Sequence, residues 1–257
     1  MDGEKENRIG EKVKEAGRAA VLIAREVGKR MFSGGLTCVN CGTDLFSDGH
    51  FCEHCLDTLP LNSGFICDKC GRAIGEDYPV CLECKAAMPT YTAARSAFVY
   101  EGDIVRLVKK FKTGGKYLAE AFAERMLPTL VSVFSDADLL AFVPMTNRAK
   151  KRRGYNQSEL LAAELSLRTG IPLERELLVK VRETSAQKEL SRRERAENLK
   201  GCFRVHERKL CRGKTIVLVD DVMTTGATAN AIASALFGAG AKQVYLLTFA
   251  SVPDRRK

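Results

Sequence analysis

Apolar residues recur along this chain in two rhythms. Ile9, Val13, Ala16, Ala20, Ile23, Val27 and Met31 stand three or four apart, the spacing of one helix face, and "SGG" ends the run. This predicts an N-terminal amphipathic helix within residues 1–35, suited to docking on protein or, through its basic face, to lipid. Beyond residue 90, strand-length apolar runs alternate with helical periods. "RSAFVYEG", "ADLLAFVP", "LLVKV", "KTIVLVD" and "QVYLLTFA" read as strands. Helices are expected over 103–112, 117–133, "NQSELLAAELSLRTG" and "ATANAIASALFGAG", with "MTNRAKKRRG" as a basic loop. Such alternation predicts an α/β domain over 91–257, a mostly parallel sheet with helices on both faces.

Between these parts, residues 36–90 carry eight of the ten cysteines. Cys38, Cys41, Cys52, Cys55, Cys67, Cys70, Cys81 and Cys84 form four C-x2-C pairs. The segments "CVNCGTDLFSDGHFCEHC" and "CDKCGRAIGEDYPVCLEC" repeat every cysteine at an interval of 29 residues, which marks a duplicated unit. Two C-x2-C pairs supply four thiolates to one tetrahedral Zn2+, and Gly42 and Gly71 suit the turn after each first pair. Consecutive pairing puts the first four cysteines on one ion and the last four on another, and an interleaved pairing has the same spacing. The spacing differs from ferredoxin-type runs. Cys202 and Cys211 match no knuckle and read as small buried side chains.

The strand "TIVLVD" leads into "DVMTTGATA". Asp220 and Asp221 fall at the carboxyl end of a parallel strand, where open α/β sheets bind ligands. Thr224, Thr225, Gly226, Ala227 and Thr228 follow as a helix begins, so backbone N–H groups and the helix dipole favour a phosphate. Acid pair and anion cradle together suit a ribose 5-phosphate, with hydroxyls on the carboxylates and phosphate in the loop. The blander reading, a strand followed by a helix capped by Thr224 or Thr225, leaves two acids on a buried strand unexplained.

Charge sharpens the partition. The net charge is +2 over residues 1–35, −5 over 36–90 and +12 over 91–257, so the α/β part favours polyanions. No apolar run reaches the roughly 18 residues that span a bilayer. The charged N-terminus does not read as a secretory signal, and a cytoplasmic location is expected.

"VLVDDVMTTGATA" resembles the phosphoribosyl pyrophosphate (PRPP) motif of type I phosphoribosyltransferases. "FVPMTNRAKKRRGYNQSELLA", "TSAQKELSRRERAENLKGCFRV" and the preceding cysteine units are similar to blocks of the ComF family, over about residues 32–250. The resemblance implies a Rossmann-like type I phosphoribosyltransferase domain over 91–257, preceded by a double zinc-ribbon module over 36–90. It implies PRPP with Mg2+ as ligand, the ribose on Asp220 and Asp221, and the 5′-phosphate on residues 224–228. It places a pyrophosphate loop at Met145, Thr146 and Arg148, and assigns Arg153, Gln187 and Arg195 to catalysis. The polar stretch 183–200, which holds Gln187, Arg195 and Asn198, fits a lid over the site. Lys112 in "KTGGK" is a further phosphate candidate. Thr146 and Tyr155 depart from the Pro and Phe often found there. No nucleobase pocket is evident, so the acceptor is open. The family implies a link to competence, with single-stranded DNA and uptake proteins as partners, either alongside transferase activity or as a non-catalytic DNA-binding or PRPP-sensing component.

Overall fold

The computed structural model describes residues 37–46, 49–182, 199 and 201–254. The helix expected within 1–35 lies outside them, as does the stretch holding Gln187, Arg195 and Asn198. The chain divides into two compact units, Met1–Cys52 and Glu53–Lys257. In the first, a tight turn carries Cys38 and Cys41. The Cys38 N–H donates to the Thr43 carbonyl (2.7 Å), and Gly42 at φ 81° donates back to Cys38 (2.9 Å).

The second unit opens with the short helix α1 (Glu53–Thr58), ahead of the second cysteine segment, and α2 (Leu82–Ala86), which carries its last cysteine, Cys84. It continues as β1 (Ala93–Val99), α3 (Gly102–Lys112), α4 (Leu118–Val133), β2 (Leu139–Phe142), α5 (Asn147–Arg153), α6 (Gln157–Thr169) and β3 (Leu178–Lys180). After these come β4 (Phe203–Val205), β5 (Thr215–Met223), α7 (Ala227–Gly238) and β6 (Gln243–Ser251). The main sheet has the order β1-β6-β5-β2, all parallel, and β3 and β4 form a separate antiparallel pair.

The period-two alternation of the central strands explains the layering. Ile216 and Leu218 of β5, with Val244 and Leu246 of β6, join one buried cluster with Ile232, Ala233 and Leu236 of α7. Tyr245 and Phe249 alternate with them on β6 and stack on Phe134, which follows α4, and on Phe122 within it, at 4.5 and 3.6 Å between ring centroids. Helices therefore cover both faces.

Two expectations are corrected. The basic segment after β2 is helical: Thr146 caps α5 by accepting the Ala149 N–H (3.2 Å), and Gly154 at φ 83° ends it. Its sequence hid this because α5 buries no residue and so shows no apolar period. Strand β5 also does not stop at Asp220. It runs on to Met223 because β6 continues alongside, with Val222 opposite Ala250.

The second cysteine segment, with residues 60–62 ahead of it, docks along the outer edge of β1. The Ala94 N–H donates to Lys69 (2.9 Å), Asn62 donates to Ala97 (3.0 Å) and Val99 to Pro60 (2.8 Å). Gly71, at φ 65°, sits so close that a Cβ there would lie 2.1 Å from the Ala94 oxygen. Across the sheet, Leu140 of β2 exchanges hydrogen bonds with Pro172 and Glu174 (2.8 and 3.1 Å). Cys67, Cys70, Cys81 and Cys84 lie in the same buried cluster as α7.

Candidate PRPP site and four-cysteine centres

The carboxyl ends of β2 and β5, with the starts of α5 and α6, enclose a cleft of about 220 Å³. Asp220 and Asp221 line it. Asp220 accepts the Ser158 hydroxyl (2.7 Å) and the Asp221 N–H (2.9 Å) on the same oxygen. Asp221 accepts the Val222 N–H (2.8 Å) and pairs with the Lys112 ammonium (2.9 Å). Burial, and secondarily the neighbouring Asp221 charge, push the Asp220 carboxyl up to about 7, against the Ser158 and backbone hydrogen bonds that hold it down.

Lys112 owes its position to residues 155–157. The Tyr155 hydroxyl donates to the Phe111 carbonyl and accepts the Gly114 N–H (3.1 Å), while Gln157 donates to Phe111 (3.4 Å). The end of α3 is thus tied to the loop that starts α6. That loop is fixed in turn by Asn156, which donates to the Val143 carbonyl (3.0 Å) and caps α6 by accepting the Ser158 N–H (3.1 Å).

Past β5, Gly226 takes the left-handed conformation (φ 74°) as the cap residue of α7, and no side chain caps that helix there. Thr225 accepts the Ala227 N–H at 3.3 Å. The loop therefore presents main-chain donors at the positive end of a 12-residue helix, the arrangement that binds phosphate. Thr228 reaches the cleft wall. Met145, Thr146 and Arg153 also line it, the last donating a 2.9 Å hydrogen bond to Gln157. Arg148 lies on the exposed side of α5 and does not line the cleft. Sequence reasoning missed Ser158, Asn156, Lys180 and Phe203, all of which line it. A Ser or Asn beside a basic run carries no signal of its own, and β3 and β4 bring in the other two. A second cavity of about 430 Å³ shares Pro144, Met145, Asn156 and Lys180 with the first and adds Arg175 and Glu176.

The cysteines gather in consecutive groups. Cys38, Cys41, Cys52 and Cys55 have sulfurs within 4.8 Å of one another, as do Cys67, Cys70, Cys81 and Cys84. Tetrahedral zinc with Zn–S bonds of about 2.3 Å sets its sulfurs about 3.8 Å apart. The Cys41–Cys52 and Cys70–Cys81 separations are 3.6 and 3.7 Å. Cys67 also accepts N–H groups from Cys70 (3.5 Å) and Cys81 (3.3 Å), as a thiolate ligand does. Both groups fit zinc. Cys202 and Cys211 are buried and belong to neither group.

A family model for the phosphoribosyl transferase domain matches residues 151–257. The chain is 32% identical over 218 residues to the DNA utilization protein YhgH of Salmonella typhimurium, covering 76% of this chain and 95% of that protein. It is 27% identical over 214 residues to competence protein F of Haemophilus influenzae, at 75% and 93% coverage. Competence protein ComFC of Bacillus subtilis shares 26% over 201 residues, at 75% and 80%. With the family match, the parallel sheet is that of a type I phosphoribosyltransferase. Among the described residues no helix is long and apolar enough to cross a membrane.

Proposed function

Since the chain belongs to the ComF family, we propose that it binds Mg·PRPP in the cleft between β2 and β5 and transfers the phosphoribosyl group to an acceptor used in DNA uptake or utilization. The observation that carries this reading is the acid pair on β5 lying within one cleft with Thr228 and Arg153. Asp220 and Asp221 accept the 2′ and 3′ hydroxyls. Residues Thr224, Thr225, Gly226, Ala227 and Thr228 hold the 5′-phosphate by main-chain and hydroxyl donors. Thr146 and Arg153, with the main chain at Met145, hold the pyrophosphate, and Arg148 adds charge at longer range. As the C1–O bond breaks, positive charge grows at C1 and negative charge on the departing pyrophosphate. Fixed cations at Arg153 and Lys112 stabilise that separation without reorganising. Gln187 and Arg195 are our further assignments to the reaction. The adjoining cavity with Arg175, Glu176 and Lys180 is the place for the acceptor. Zinc in each four-cysteine group is structural: it gives a short segment without a core of its own a fixed shape. We place the protein in the cytoplasm.

The test is calorimetric titration of Mg·PRPP into the parent and into an Asp220→Asn/Asp221→Asn variant. Tight binding by the parent, lost in the variant, is expected. A folded parent that does not bind Mg·PRPP sinks the proposal. A second reading, direct contact with single-stranded DNA, is favoured by the +12 charge of residues 91–257. It requires affinity that falls steeply with salt, roughly one power of salt concentration for every one to two phosphates contacted.

A further inference from the structure

The second four-cysteine segment does more than decorate the sheet. Arg72, immediately after the C-x2-C-G turn, is buried, with only 4% of its surface exposed. One terminal nitrogen donates to the Glu83 carboxylate of α2 (2.7 Å), and the other donates to the main-chain carbonyl of Thr224. The contact crosses 152 residues of sequence and lands on the first residue of the phosphate loop. Tyr91, also buried, backs the same loop: its hydroxyl would stand 3.3 Å from a Cβ at Gly226 and lies 4.0 Å from the Met223 sulfur.

The consequence follows from peptide planarity. No peptide bond in the described chain is cis, and in a trans peptide the C=O and the next N–H point in opposite directions. A guanidinium that holds the Thr224 carbonyl toward the cysteine segment therefore aims the Thr225 N–H the other way.

We propose that Arg72 is a positioning residue for the 5′-phosphate, fixing the Thr224–Thr225 peptide so that its N–H faces the ligand. This rests on the PRPP reading above and deepens it. The phosphate affinity of the transferase domain is set in part by a side chain of the second cysteine segment, and the ligand class that feels it is any ribose 5-phosphate.

The experiment compares three ligands, Mg·PRPP, ribose 5-phosphate and Mg·pyrophosphate, by calorimetry on full-length parent, Arg72→Met, Arg72→Lys and Glu83→Gln. Bound zinc and melting temperature are measured for each. Arg72→Met is expected to weaken both ribose 5-phosphates tenfold or more and to leave Mg·pyrophosphate within twofold. Arg72→Lys, which keeps a donor, recovers part of the loss. Glu83→Gln keeps the guanidinium but loosens its anchor, and shows a smaller loss with the same selectivity even if Arg72→Met folds poorly. Parent-like ribose 5-phosphate binding by both Arg72→Met and Glu83→Gln, or equal losses for pyrophosphate, overturns the proposal while leaving the PRPP site standing. A parent that binds pyrophosphate but neither ribose 5-phosphate overturns the PRPP reading, and this one with it.

Discussion

Two adjacent carboxylates in a cleft can be stable only if something limits their charge. Here Ser158, the Asp221 amide and Lys112 favour the ionised form, yet burial and the neighbouring Asp221 still push the Asp220 carboxyl up to about 7. Because its folded value lies above the ordinary 3.8, Asp220 contributes stability that is fully present below about 4 and is lost as pH rises through about 7. Asp220→Asn should therefore raise the melting temperature of the ligand-free protein at pH 8 and change it little at pH 4. Equal effects at both would contradict the raised value. Affinity for Mg·PRPP should run the opposite way, weakening as pH falls below about 7, since an ionised carboxylate is the better hydroxyl acceptor. Lys112→Met removes the partner of Asp221. Its side chain is one-third exposed, so urea unfolding should show a modest loss of ~1 kcal/mol. PRPP binding should suffer more, because the acids then repel one another without a counter-charge.

At the scale of elements, the 224–228 loop and the docked cysteine turn each depend on one glycine. Gly71→Ala would place a Cβ in the left-handed region and against the Ala94 carbonyl. The backbone term alone costs about 1–3 kcal/mol, so a melting temperature unchanged by this substitution would show that the turn is not clamped on β1 as described. The elements that the sequence disclosed were those with periodicity: the strands of the parallel sheet, the helices over 102–112, 118–133, 157–169 and 227–238, and the duplicated cysteines. Asp220, Asp221 and the 224–228 loop were legible because strand, acids and glycine turn are contiguous. Helix α5 was not, since it buries no apolar face. Nor was Ser158, Asn156 or Arg72, whose partners lie 62, 13 and 152 residues away. Such contacts belong to topology, which local pattern does not encode.

For the molecule as a whole, the second cysteine segment and the sheet share one buried cluster, so they should melt together. Differential scanning calorimetry on the full chain is expected to show that chelation of the metal lowers the transition of residues 53–257 rather than producing a separate, earlier one. An independent low-temperature transition for that segment would refute shared packing.

The same docking has a consequence for solubility. Strand β1 stands at one edge of the sheet, and its outward main-chain groups are met by residues 60–69, while residues 172–174 cover β2 at the opposite edge. Without that cover, β1 would offer a row of unpaired donors and acceptors on which another chain could build. A fragment of residues 91–257, cut where the sequence invites it, should thus self-associate through β1 and elute as oligomers in size-exclusion chromatography with light scattering, whereas a fragment of 53–257 with its metal stays discrete. On this view the cysteine segment guards the sheet against aggregation, a service to the protein whether or not any substrate is present.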